Sequence, residues 1–375
     1  MSFKLQDLSY KTMGFLNKKI FNFSSSAFGL DLSDLSVKAI QLEKKGSLDR
    51  IRSFGMVNIP QGIVSNGEIL KKETVILKVK ELLQKIGPKK LSSNKVICSL
   101  PETKAFLRLI NLPKMKEEEI KEAIKWEIEA NIPLSLEQVY FDWQLLNKNF
   151  SKNKNGSSAL IAAISKDVTD QFLEILEKAG LDPIGLEIES LAQVHSLIKE
   201  TERKKTALII DIGDRRTSFI ILVGNIPCFT SSIPFSASLL TNSLSKALGL
   251  SFAEAEKVKL NYGIGSFAKK DPIFKAVDSA LKNLVFEIKR STNFYTTELE
   301  YSDSIDQIIL CGGGALTKGL VPFLSKKLNK EISLGNPWIN LNLGKRIPPI
   351  PKDQSVKYST AIGLALKGMN YENLS

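Results

Sequence analysis

Short apolar runs alternate with polar turns along most of this 375-residue chain. Residues 207–210 read as a buried strand, residues 219–223 as its return and Gly224-Asn225 as the next turn, so the segment is a hairpin. Its polar tip is Asp211-Ile212-Gly213-Asp214-Arg215-Arg216-Thr217-Ser218. Residues 28–42 repeat the order of apolar strand, Asp, small residue, Asp and second apolar strand. Laid together, Asp31 falls on Asp211, Ser33 on Gly213 and Asp34 on Asp214. Two similar hairpins so far apart predict a duplicated domain with a ligand between the halves. A third element, Cys311-Gly312-Gly313-Gly314-Ala315, follows the apolar run 308–310 and precedes a helix opening near Lys318.

A tip of this kind can hold a phosphate: backbone N–H groups around Gly213 can face an anion, Thr217 offers a hydroxyl, and Asp211 can hold Mg2+ through water. Any glycine hairpin between buried strands looks much the same, so the repetition carries the argument and the single turn does not.

The remaining pattern divides the chain. Residues 27–55 and 151–205 are expected to form a first large domain, and residues 206–234 and 302–375 a second. Residues 56–150 fall outside the duplicated pattern and are expected to be an inserted small α+β subdomain, with helices at 74–86 and 117–129 and strands at 95–100, 105–110 and 140–146. A polar linker at 151–158 leads to a buried strand at 159–164, a helix at 167–178 ended by Gly180, and a helix at 190–201 between the domains. Residues 235–301 are mostly helical and are expected to be an outer subdomain.

Residues 1–26 precede the first strand. On a helical wheel Leu5, Leu8, Phe15, Leu16 and Ile20 share an apolar face edged by Lys4, Lys11 and Lys18. This segment reads either as lying on an anionic membrane surface or as a helix or tail against the protein's own body. Lysine and polar residues interrupt it too often for a signal peptide or a spanning helix, and no other stretch is long enough, so a cytoplasmic or peripheral protein is expected.

With 43% hydrophobic and 25% charged residues the composition is that of a globular protein. A net charge of +12 favours an acidic neighbour, either anionic lipid or nucleic acid, or else a lysine-rich surface that keeps the protein soluble. The lysines lack the aromatic interleaving of a nucleic-acid groove, so no nucleic-acid partner is expected. Cys98, Cys228 and Cys311 lie beside apolar strand residues and read as small buried hydrophobes in a reducing compartment. His195, among Leu191, Val194 and Leu197, reads as a satisfied or surface histidine rather than a catalytic one.

Two phosphate hairpins followed by a glycine turn, in that order, resemble the actin-like ATPase superfamily. Glu189-Ser190-Leu191-Ala192 is similar to the superfamily's connection between lobes, and Ala255-Glu256-Lys257-Val258-Lys259 to its ribose-contacting helix. Within that superfamily, Ser99-Leu100-Pro101, Leu112-Pro113, residues 126–134, Tyr140-Phe141-Asp142-Trp143, Asn336-Pro337-Trp338 and residues 358–366 resemble the PilM family of type IV pilus assembly, relatives of the division protein FtsA. The likeness runs from about Phe28 to Leu366.

The resemblance implies an α/β actin-like fold with ATP in an interlobe cleft. It places Asp31 and Asp211 near a water-bound Mg2+, Ser33, Lys38, Gly213, Arg215 and Thr217 toward the phosphates, Glu256 and Lys259 at the ribose, and Gly312, Gly313 and Gly314 beneath the adenosine. Glu189 either orients an attacking water or acts as a structural hinge acid. Two turns depart from the family: Ser33-Asp34-Leu35 stands where Gly-Ser-Ser is usual, and Asp214-Arg215-Arg216 where Ala-Thr-Thr is usual. A carboxylate beside a triphosphate is repulsive, so Arg215 or Arg216 is expected to pair with phosphate or with Asp214. Weak or absent ATP turnover follows.

The implied function is that of a cytoplasmic adaptor at the inner membrane, binding the short cytoplasmic tail of a PilN-like protein in a groove between the first domain and the inserted subdomain, and passing its state to pilus motor ATPases. Self-association remains open. The competing readings are an FtsA-like membrane-associated cytoskeletal protein and a small-molecule kinase of the same fold, for which Asp214 is the one base in view.

Overall fold

The computed structural model describes residues 26–370 apart from 114, 133, 147–156, 203–204, 225, 269 and 298–303. All but the last residue of the amphipathic segment 1–26, most of the expected linker, Pro133 and Asn225 therefore lie outside the described residues.

Two sheets of like design dominate. In the first, β1 (Phe28–Leu32), β2 (Ser36–Lys45) and β3 (Leu48–Asn58) form an antiparallel meander. The short hairpin β4 (Val64–Ser65) and β5 (Glu68–Ile69) and the helix α1 (Lys72–Lys85) follow, then β6 (Gly87–Pro88), which pairs with β3. β7 (Lys95–Leu100) adds in parallel to β1, and β11 (Asp182–Ile188) in parallel to β7. Their order is β11-β7-β1-β2-β3-β6.

In the second sheet β12 (Thr206–Ile212), β13 (Thr217–Val223) and β14 (Ile226–Ile233) form the meander, and β15 (Gln307–Cys311) and β16 (Ile332–Leu334) add in parallel beyond β12. Order and strand sense match the first sheet strand for strand. The duplication read from two hairpins therefore extends through five strands of each half.

The small subdomain is a three-stranded antiparallel sheet, β8 (Ala105–Leu112), β10 (Ser157–Ser165) and β9 (Val139–Leu146), with β10 central. It is covered by α2 (Glu117–Asn131), whose Ile120, Ile124 and Ile128 recur at helical spacing and are buried. This corrects the expected boundaries. Residues 56–100 belong to the first large domain, because Val75, Val79 and Leu82 of α1 and Val96 and Cys98 of β7 share one core with Phe28 and Leu30. The apolar strand expected in that domain, β10, lies instead in the small sheet.

α3 (Lys166–Lys178) covers the first sheet, and α4 (Glu189–Leu197) follows β11. The helices α5 (Ala237–Leu248), α6 (Phe252–Tyr262) and α7 (Pro272–Thr297) fill the stretch expected to be helical. Ser236 and Ser251 cap α5 and α6, each accepting a backbone N–H three residues on. Their apolar faces do not make a separate core. Leu240, Leu244, Val277, Leu281 and Leu284 join Leu208, Ile210 and Phe219 of the second sheet, with Leu320 and Phe323 of α8 (Leu320–Leu328). The short α9 (Lys352–Ser355) and then α10 (Ser359–Asn370) end the described chain. Among the described residues no helix is long and apolar enough to cross a membrane.

Each half's last helix packs on the other half's sheet. Val194 and Leu197 of α4 lie against Ala207, Ile209 and Ile220, while Ala361, Ile362 and Ala365 of α10 lie against Ile40 and Leu42. The two helices cross at Ala192 and Gly363, where a Cβ on Gly363 would stand 1.7 Å from the Ala192 carbonyl oxygen. Alanine ordinarily stabilises a helix over glycine by about 0.5–1 kcal/mol. Here the Gly363→Ala substitution is expected to destabilise by about 2 kcal/mol through overpacking. Urea denaturation checks this, and stability equal to or above the parent's would contradict the crossing.

Candidate functional site

The two meanders point their tips at one another, and the space between them is a cavity of about 730 Å3. The turns are built alike. Leu32 pairs with Val37 and Ile212 with Thr217, and inside each four-residue turn one bond recurs: the Ser33 N–H donates to the Ser36 carbonyl at 3.0 Å, and the Gly213 N–H to the Arg216 carbonyl at 2.9 Å. Asp31 and Asp211 thus end equivalent strands and both line the cavity.

The likeness reaches their neighbours. The Ser99 hydroxyl, at the end of β7, donates to Asp31 Oδ1 at 3.4 Å, and the Cys311 thiol, at the end of β15, faces the Asp211 carboxylate. All three cysteines are buried and outside any disulfide, and burial raises the thiols of Cys98 and Cys311, as expected of small core residues.

Charge separates the two halves. In the first, Lys38 Nζ lies 2.7 Å from Asp31 Oδ2. Burial alone would lower that amine, but Asp31, with Asp211 and Glu189 nearby, holds its pKa above the ordinary value. In the second half Ser218 stands at the equivalent place and faces the cavity, and the Gln193 amide of α4 donates to Asp211. Burial pushes the Asp211 carboxyl up, and the Gln193 bond only partly offsets this. Glu189 is pushed well above the carboxylate range, first by burial and then by Asp31, Asp211 and Glu102. The Glu102 N–H, 3.4 Å from Glu189 Oε2, opposes this only in part, and Glu102 in turn accepts the Ser190 N–H at 3.3 Å.

The cavity's far wall comes from α6 and the glycine turn. Lys259 is buried, its Nζ 2.8 Å from Glu256 Oε2 and donating to the Thr241 hydroxyl at 2.8 Å and the Ala237 carbonyl at 3.0 Å. Glu256 keeps about a third of its side chain exposed toward the cavity. Opposite, Gly312 has φ 80°, and a Cβ there would lie 2.1 Å from Asp211 Oδ1, so only glycine fits. Gly313 has open space where a Cβ would be, which leaves a flat backbone wall for a ligand.

The cavity therefore gathers Asp31, Ser33, Lys38, Glu189, Asp211, Gly213, Arg215, Glu256, Lys259, Gly312, Gly313 and Gly314 of the expected set. Thr217 is a correction. It is fully buried and its hydroxyl donates to the Phe235 carbonyl at 3.0 Å, because strand alternation turns it with Ile212 into the core and leaves Ser218 outward. Of the two partners expected for the arginines, Asp214 is not the one Arg215 approaches. Arg215 Nε lies 4.0 Å from Asp34 of the opposite turn, while Asp214 accepts the Ser238 hydroxyl at 2.7 Å. Asp34 in turn accepts the Asn66 and Gly67 N–H groups at 2.9 Å each, so the first turn's departure holds the β4–β5 hairpin.

Sequence reading missed Gln193, Glu102 and Thr360, which accepts a second Gln193 amide bond at 3.3 Å. Gln193 sits four residues after Glu189, a helical spacing that signals a shared face. His195 is half-exposed, with Nε2 3.2 Å from Glu187, and lies away from the cavity.

A family model described as Type IV pilus assembly protein PilM matches residues 29–369. The chain belongs to the PilM family. A solved PilM-PilN type IV pilus biogenesis complex superposes with a TM-score of 0.77 at 26% identity, covering 92% of this chain and 98% of that one. MreB 5 of Spiroplasma citri bound to AMPPNP superposes at 0.55 and 13% identity, over 94% and 98% of the chains, and shows the actin-like fold. Among curated proteins, the cell division protein FtsA of Neisseria meningitidis is 26% identical over 50% of this chain and 49% of its own, and that of Escherichia coli 24% identical over 53% and 52%. The chain spans about half the length of these curated relatives.

The acid cluster gives this PilM-family chain a pH signature. The folded pKa of Glu189 exceeds its unfolded value, so its contribution favours folding at low pH and is lost as pH rises above about 4.5. Glu189→Gln is expected to raise stability at pH 8 by about 1 kcal/mol or more, since a tenfold weaker tendency to ionise is worth about that much. The gap to the parent should close toward pH 4.5. Thermal melts from pH 4.5 to 8 measure this, and a variant less stable at pH 8 would contradict the buried-acid arrangement.

Proposed function

We propose that the chain is an ATP-binding adaptor of type IV pilus assembly, peripheral to the cytoplasmic face of the inner membrane. The observation that carries the nucleotide reading is the cavity of about 730 Å3 between two matched turns, closed below by Gly312 to Gly314. In this reading Ser33, Lys38, Gly213 and Arg215 face the phosphates, Glu256 the ribose and Gly313 the base. Asp31 and Asp211 suit an Mg2+ held mainly by water and phosphate, which needs only one or two carboxylates. Among the described residues no cluster of three or more His, Cys, Asp or Glu forms a metal cage. The ion would neutralise phosphate charge beside the two carboxylates.

Turnover is slow in this account. Glu189, the residue placed to orient water, is half-buried at the cavity and held toward its protonated form, which makes it a poor proton acceptor. A kinase needs an acceptor-facing base, and Asp214 is exposed and bonded to Ser238.

The partner reading rests on family membership and on likeness to a PilM-PilN complex over nearly the whole chain. The partner is the short cytoplasmic tail of a PilN-like inner-membrane protein, and the adaptor passes a nucleotide-dependent state to the motor ATPases. Calorimetric titration of the full chain with that tail peptide is expected to give saturable one-to-one binding whose affinity changes about fivefold or more with Mg-ATP, the lower range of allosteric coupling. Absence of binding in both conditions would reject the adaptor role.

A further inference from the structure

The first sheet has a second functional end. β1 runs toward the cavity and β2 runs back from it, so Lys44 and Lys45 stand at the pole opposite the candidate site, about 25 Å away at strand rise. There the β2–β3 turn meets the loop before α9. The Asp49 N–H donates to the Asn342 carbonyl at 2.9 Å, and the Asn342 amide donates to the Ser47 carbonyl at 2.9 Å. Between β3 and this loop lies a depression of about 280 Å3 whose lining includes Arg50, Arg346, Ile347, Pro348 and Pro349.

Three features of the pole belong together. It is cationic: Lys44, Lys45, Lys345 and Arg346 are exposed, and Arg50 Nε is buried with no hydrogen-bond partner. The carboxylates of this turn are already engaged, Glu43 with Arg52 at 2.8 Å and Asp49 with the Asn342 N–H at 2.8 Å. It carries an aliphatic tip: Ile347 is 91% exposed, directly after Lys345-Arg346 and braced by Pro348-Pro349. And the chain enters the fold here, since the Ser26 hydroxyl donates to the Leu42 carbonyl of β2 at 2.6 Å.

We propose that this pole docks on an anionic lipid surface, with Lys345, Arg346 and Arg50 among the headgroup phosphates and Ile347 inserted between headgroups. Charge complementarity selects the anion, and the aliphatic tip selects lipid over nucleic acid, because stacking on bases needs aromatic side chains and the depression has none. Seated this way, the candidate site faces away from the membrane. The inference does not rest on nucleotide or peptide binding.

Flotation of the full chain with phosphatidylcholine vesicles, with and without phosphatidylglycerol, tests it. Binding is expected only to the anionic vesicles and weakens as salt rises. Lys345→Ala and Arg346→Ala should each weaken it about fivefold, the loss carried by one basic residue near such a surface. Ile347→Asp should weaken it further, and all three should melt like the parent because these side chains are exposed. Equal binding to neutral vesicles, or undiminished binding of the three variants, overturns the proposal. Binding that ignores Ile347→Asp and is competed away by duplex DNA assigns the pole to nucleic acid and overturns it as well.

Discussion

The contact on which the molecule depends is the crossing of α4 and α10. Each helix leaves one half of the duplicated fold and lies on the sheet of the other, so the halves are joined by exchanged helices rather than by a hinge alone. Close packing at Ala192 and Gly363 brings the helix starts together, and those starts carry Glu189, Gln193, Ser359 and Thr360 at the floor of the cavity. Any change in the angle between the halves must pass through this crossing. Interiors packed this tightly move between discrete arrangements and do not deform smoothly.

Above the crossing the site is a problem in electrostatics. Asp31, Asp211, Glu189 and Glu102 approach one another, Asp31 and Glu102 buried and the other two half-buried at the cavity, and among the described residues Lys38 is the cation set within the group. Three of these acids, Glu189, Asp211 and Glu102, are pushed toward their protonated forms, while Asp31 takes the lysine. The duplication thus supplies equivalent positions and the sequence then differentiates them: Lys38 opposite Ser218, Ser99 opposite Cys311. Arg215 and Asp34 extend the asymmetry across the cleft, linking the second turn to the β4–β5 hairpin and so to the segment that opens the small subdomain.

Local periodicity made much of this legible. The strand at residues 95–100 and the helix at 117–129 lie within two residues of β7 and α2, because each is written in a run of apolar positions bounded by Pro or polar residues. Sheet membership was not legible. β7 and β10 are both short apolar strands, and nothing local says that β7 pairs with β1 some 65 residues earlier or that β10 pairs with β8. The site divides the same way. Asp31, Asp211 and the glycines stood out because the chain repeats its turn, whereas Thr217 was misjudged by one step of strand alternation. Glu102 and the Arg215–Asp34 approach arise only when distant elements meet, and leave no spacing signal.

If the matched turns close on a nucleotide, the full chain binds Mg-ATP. The most direct measurement is calorimetric titration of the full chain with Mg-ATP, run beside Lys38→Ala. A single saturable site is expected, weakened about tenfold or more when the lysine is removed, as for loss of a charge-assisted bond to phosphate. No detectable binding by the parent, or binding that Lys38→Ala leaves unchanged, would contradict it.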